Sequence, residues 1–240
     1  MKNLILFLIC VVLLSTKTFN ASAQVKDIDG NVYKTIKIGA QTWMAENLKT
    51  TKLNNGTKIP VEEDNDKFIA LKTAAFCWYD NDADYKKSFG GLYNWYSVKT
   101  GKLCPAGWHV PTDAEWMKME LAIGMTEDDA INGVWDRGKD HGAKLKDLTA
   151  WESPDKTVKP SGFAVLPGGF RADDGSFMQA KEKEGMNFSL TAVFWTSTPR
   201  EGTTIQNAVD AYFRSVNKDN SVERNISSNY RAHSVRCIKD

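Results

Sequence analysis

Asp80, Asp82 and Asp84 alternate along the chain, the spacing of the first half of a calcium loop. The sixth position of such a loop falls on Tyr85 rather than glycine, and the twelfth on Gly91 rather than glutamate, so the segment is not an EF-hand. An irregular calcium site is one reading, because neighbouring carboxylates repel unless they are neutralised or solvated. A solvated acidic loop is the other. Eight tryptophans offer a second chemistry, stacking on sugar faces. Trp43, Trp95, Trp108, Trp116 and Trp195 sit in apolar or periodic surroundings and read as core. Trp135 and Trp151 lie in an irregular stretch, and Trp135 is followed by Asp136 and Arg137. These four residues are the expected ligand contacts, unless the two rings only pin their loops to the core.

Nucleophilic chemistry finds less support. No Gly-x-Ser-x-Gly elbow occurs, and no Cys-His signature is visible. His109 lies between Trp108 and Val110 ahead of a helix start and reads as structural. His233 precedes the last strand, and His141 stands in a glycine-flanked polar loop without an obvious partner. Cys77, between Phe76 and Trp78, reads as a buried thiol. The expectation is a protein without catalytic residues.

The elements that must position these groups are legible in part. Thr112-Asp113-Ala114-Glu115 is a capping box, and Pro111 blocks any extension upstream. It predicts a helix over 112–123, with Trp116, Met119 and Ile123 as its inner stripe. A second helix is predicted within 89–98, where Leu92, Trp95, Tyr96 and Lys99 share a face. Residues 27–38 read as a hairpin about Asp29-Gly30-Asn31, and residues 162–171 and 176–178 as another about Asp173-Asp174-Gly175. Residues 125–160 are mostly irregular, with a short helix at 143–148. Strands are predicted at 194–197, 208–216, 221–226 and 233–238. In the last of these, Val235 and Cys237 face one way and Arg236 the other. Two helices and many short antiparallel strands joined by long irregular loops indicate an α+β fold.

Residues 1–23 read as a secretory signal peptide: Lys2, an apolar run over 4–14 and an Ala21-Ser22-Ala23 site, cut before Gln24. The run is far shorter than the roughly 20 residues of a spanning helix, so the mature chain is not expected to cross the membrane. Cys10 lacks the flanking residues of a lipid-attachment signal. Residues 24–240 read as one domain. The whole chain carries 31 basic and 30 acidic residues, and loss of Lys2 and Lys17 with the leader turns the net charge from +1 to −1. That balance argues against nucleic acid as a partner. Cys77, Cys104 and Cys237 remain in an oxidising compartment, an odd number that leaves one free or paired between chains. The pairing expected is Cys104 with Cys237.

Several runs carry a resemblance. They are Gln41-Thr42-Trp43-Met44-Ala45-Glu46-Asn47-Leu48, Cys77-Trp78-Tyr79 and Leu92-Tyr93-Asn94-Trp95-Tyr96, then Cys104-Pro105-Ala106-Gly107-Trp108-His109-Val110-Pro111-Thr112, Leu166-Pro167-Gly168-Gly169-Phe170-Arg171 and Ser234-Val235-Arg236-Cys237. Together, in this order, they resemble the Fibrobacter succinogenes major paralogous domain. The resemblance implies an exported protein of Bacteroidetes-type and related bacteria. It implies a C-type-lectin-like fold, more distantly similar to the formylglycine-generating enzymes, in which a disulfide joins the segment before the helix to the terminal strand. It brings no established activity. The formylglycine-generating enzymes use two reactive cysteines near the chain end, where only Cys237 stands here. The Glu-Pro-Asn and Trp-Asn-Asp motifs of calcium-dependent lectins are absent.

The function expected is that of a non-catalytic recognition module, secreted, periplasmic or on the bacterial surface, binding a glycan or a surface protein. An enzyme related to the formylglycine-generating fold and an adhesive surface component are the alternatives. No cofactor is expected beyond the calcium weighed at Asp80, Asp82 and Asp84.

Overall fold

A computed structural model describes residues 24–133, 135–151, 155, 157–178, 190–204 and 209–240. The expected signal segment, with Cys10 and its cleavage site, lies outside them. In chain order the first strands are β1 (Gln24–Lys26), β2 (Val32–Ile38), β3 (Gln41–Met44), β4 (Phe76–Cys77), β5 (Leu92–Asn94) and β6 (Trp108–His109). The later ones are β7 (Phe170–Arg171), β8 (Phe177–Met178), β9 (Thr191–Pro199), β10 (Asp210–Asn217), β11 (Val222–Ser228), β12 (Ala232–His233) and β13 (Ile238–Lys239). The helices are α1 (Asn65–Ala70), α2 (Tyr85–Phe89), α3 (Trp95–Lys99), α4 (Asp113–Ala122), α5 (Glu127–Asn132) and α6 (His141–Leu145).

The strands form three sheets, ordered β1-β2-β3-β13-β6, β11-β10-β9 and β4-β5-β12-β7-β8. Every ladder between them is antiparallel. The protein is therefore mostly β, and the expected α+β, lectin-like packing of two helices on short strands is not what forms. Among the described helices only α4 reaches ten residues, and the others are single turns of five or six. The second predicted helix explains the error. Leu92 and Tyr93 are both buried, in different clusters on opposite sides of β5. A strand buried on both faces loses its alternation and imitates a helical stripe. Asn94 then caps α3 by accepting from the Ser97 N–H at 3.0 Å, which delays the helix by a turn.

Elsewhere local chemistry decides. The capping box forms as read: Glu115 N–H donates to Thr112 Oγ1 at 3.2 Å and Thr112 N–H to Glu115 Oε2 at 2.8 Å. The hairpin β7–β8 closes by Ala172 N–H donating to Ser176 O at 2.8 Å. Cys104 and Cys237 are joined across 133 positions, their Cα atoms 5.9 Å apart, inside one of three apolar clusters. In a second cluster Trp116 of α4 meets Trp43 at 5.1 Å and Phe163 at 5.6 Å, ring centre to ring centre. Among the described residues no helix is long and apolar enough to cross a membrane.

Candidate functional site

A cleft opens where the chain leaves β3. Met44 N–H and Leu48 N–H donate to Cys237 O and Val235 O, at 2.9 and 2.8 Å. This clamps Ala45, Glu46 and Asn47 beside Arg236. Asn47 donates through Nδ2 to Phe89 O at 2.8 Å and to Ser234 Oγ at 3.2 Å, and its Oδ1 accepts from Arg236 Nε at 2.8 Å. Gly90 closes one wall with φ +73°, and a Cβ there would stand 2.6 Å from Leu48 O. Only glycine tolerates both conditions. Ala164 also holds a positive φ, 55°, and its carbonyl accepts from Arg236 Nη2 at 2.9 Å. Backbone strain of this kind persists where the surroundings over-determine it.

Arg236 lies at the floor, 1% exposed. Its guanidinium stacks on Phe163 at 4.5 Å and Phe194 at 5.5 Å, and Nη1 donates to Phe163 O. Burial pulls its pKa down to about 9, so the group still carries its charge at neutral pH. The cleft has two lobes. The enclosed one, about 210 Å³, is walled by Glu46, Asn47, Lys49, Lys87, Leu166 and Arg236 among others. The outer one, about 460 Å³ and more open, shares Lys49 and Lys87 and adds Lys86 and Asp84. Aromatic rings steady the rim: Lys49 Nζ sits 5.1 Å over Tyr33 and Lys86 Nζ 5.5 Å over Trp78. Four cations thus face two carboxylates, Glu46 and Asp84.

The model of the Fibrobacter succinogenes major domain matches residues 36–239 of this chain. The chain belongs to that family. Nothing among the curated proteins, and nothing among the solved structures, matches it. Three of the segments that carry the family resemblance meet in the cleft. Residues 41–48 supply Ala45, Glu46 and Asn47, residues 166–171 supply Leu166, and residues 234–237 supply Arg236.

The residues singled out for ligand contact lie elsewhere and do not act together. Trp135 is 66% exposed, but Trp151 is 5% exposed and donates from Nε1 to Val165 O at 2.8 Å, with Lys146 Nζ 4.5 Å over its ring. Arg137 is buried and paired with Glu120. Asp136, at φ 48°, stays at the surface. Neither lobe is lined by any of the four. The aspartates also separate. Asp82 Oδ1 accepts from the Asp84 N–H at 2.9 Å, and of the three only Asp84 borders the outer lobe. Among the described residues no three of His, Cys, Asp and Glu converge to hold a metal.

Cys77 lies fully buried in a cluster with Phe68, Tyr79 and Leu92, and burial pushes its thiol up to about 12. A thiol held protonated there is a poor nucleophile. His233 Nε2 is 2.9 Å from Ser227 Oγ, but both residues are buried. Burial drives its pKa well below the usual range. His141 is buried, with Asp140 Oδ1 3.4 Å from its Nδ1. Arg236 is the residue that sequence reasoning passed over. The strand predicted over 233–238 is broken into β12 and β13, and Arg236 lies between them; the available signal was a cation flanked by the apolar Val235 and Cys237.

Proposed function

We propose that this chain is an exported, non-catalytic recognition module that binds a glycan or protein partner at the bacterial surface through the two-lobed cleft. The observation supporting this reading is the cleft itself. It is concave, partly apolar and furnished with a few convergent polar groups, the form a binding site takes, and the family's own segments build its floor and walls. Ser88 is the hydroxyl in the enclosed lobe's lining, and neither histidine nor cysteine lines either lobe. The export signal read in the sequence puts the protein where glycans and surface proteins are the available partners.

Isothermal titration of the folded protein against a glycan panel and a peptide array tests this. The expected result is saturable binding by at least one member, removed by Leu166→Trp, which fills the enclosed lobe. Binding by none, or binding indifferent to Leu166→Trp, would overturn the reading.

A further inference from the structure

Resting on that reading, we propose that the enclosed lobe receives the carboxylate of an acidic sugar, a hexuronate unit of a glycan, with Arg236 as the buried cation and Lys49 and Lys87 at its mouth.

The argument begins with what Arg236 lacks. A guanidinium has five N–H donors. Three are used, toward Asn47 Oδ1, Phe163 O and Ala164 O, all of them neutral acceptors. One hydrogen on each Nη therefore has no acceptor among the described residues. A buried charge is ordinarily paired, and the contrast within this protein is direct. Arg137 and Arg214 are equally buried, and both are ion-paired to Glu120. Arg171 also bonds only neutral acceptors, but it is closed between Phe68 and Phe177 and borders neither lobe. Arg236 alone of these four combines a missing carboxylate with a cavity.

The acid in that cavity, Glu46, acts on Arg236 through space and only partly offsets its burial, and it makes no hydrogen bond to the guanidinium. Glu46 Oε1 accepts from the Lys34 N–H at 3.0 Å, and Oε2 faces Lys49 Nζ at 3.4 Å. Lys87 is exposed and has no ion pair among the described residues. An incoming carboxylate would meet two free guanidinium hydrogens, the arrangement that arginine offers to planar anions.

Size favours a sugar over an acidic peptide. The enclosed lobe has a volume of about 210 Å³. It is room for one ring and its carboxylate, whereas the tip of an aspartate or glutamate would leave much of it empty. Ala45, Ala164 and Leu166 add an apolar wall against which the C–H face of a ring can pack.

The test is titration of the wild type with oligogalacturonides and oligoglucuronides, beside the same oligomers reduced to neutral sugars. The expected result is that the acidic forms bind at least about tenfold more tightly, as one charge-assisted hydrogen bond predicts. Raised salt and Lys87→Gln should each weaken the acidic ligands more than the neutral ones. Lys87 is at the surface, so its variant folds. Arg236→Lys, checked for native circular dichroism, keeps the charge, loses the fork and should weaken acidic binding further. Equal binding of acidic and neutral oligomers, both removed by Leu166→Trp, overturns the inference and leaves the recognition reading standing. Capture of a polyglutamate peptide in preference to any uronide also overturns it, assigning the lobe to an acidic protein. Failure of every glycan and peptide removes both proposals.

Discussion

Arg137 and Glu120 meet in a pair that sees no solvent: Nη2 donates to Oε2 at 2.6 Å, and both side chains are completely buried. Glu120 reaches out from α4, and its second oxygen accepts from Arg214 Nε at 2.7 Å. Arg214 in turn donates from Nη1 to Asp113 Oδ1 at 2.6 Å, and Arg224 completes the cluster on Asp113 Oδ2 at 2.8 Å. α4, the longest of the described helices, is thereby bolted to β10 and β11 by charge.

Neutralising the shared acceptor leaves Arg137 without a carboxylate and Arg214 with Asp113 alone. Glu120→Gln is predicted to cost roughly 3–5 kcal/mol, the range for breaking a buried pair from one side. Urea denaturation measures this. A loss under about 1 kcal/mol, the range of exposed pairs, would mean that water reaches the cluster.

Disulfide removal should act over the whole chain. Closing 133 positions restricts the unfolded ensemble by about 5 kcal/mol in the chain-entropy account. Cys104→Ser with Cys237→Ser should lower the denaturation midpoint by a large part of that, and reductant should do the same to the wild type. Cys77, buried and with its thiol raised to about 12, should resist thiol reagents until the protein unfolds.

His109 gives the stability a pH dependence. Burial opposes its charge, but the hydrogen bonds it donates to Asp240 Oδ1 at 2.6 Å and Glu115 Oε1 at 3.0 Å prevail, and its pKa is raised above 6.5. The folded pKa exceeds the unfolded one, so this contribution is complete below pH 6.5 and is lost as the pH climbs through the folded value. The stability difference between wild type and His109→Gln should shrink with rising pH across that window. A difference that grows would refute the charged bridge.

The two loop tryptophans should behave oppositely. Trp151 is buried and hydrogen-bonded, so Trp151→Ala should cost roughly 3–5 kcal/mol. Trp135 is open to solvent, and Trp135→Ala should fall within about 0.5 kcal/mol of the wild type. Thermal unfolding of both variants separates a core ring from a surface one.

Features whose physics closes within a few residues were legible in the sequence. The α4 start is written in Thr112 and Glu115, because each satisfies the other's backbone within one turn. The turn at Asp173-Asp174-Gly175 is written in residues that favour a positive φ, and Gly175 adopts one of 80°. The cysteine pairing followed from compartment and chain order, and family membership from the ordered motifs. Three-dimensional packing decided the rest. Whether residues 92–99 made a helix or a strand depended on β4 and β12 lying on either side of β5, which no local pattern encodes. Nothing beside Arg137 or Arg236 in the sequence tells their roles apart. One meets a glutamate 17 positions away, and the other meets carbonyls more than 70 positions away and a cavity. A charge's role is set by what is packed around it, and here its neighbours come from segments that touch only after the sheets have formed.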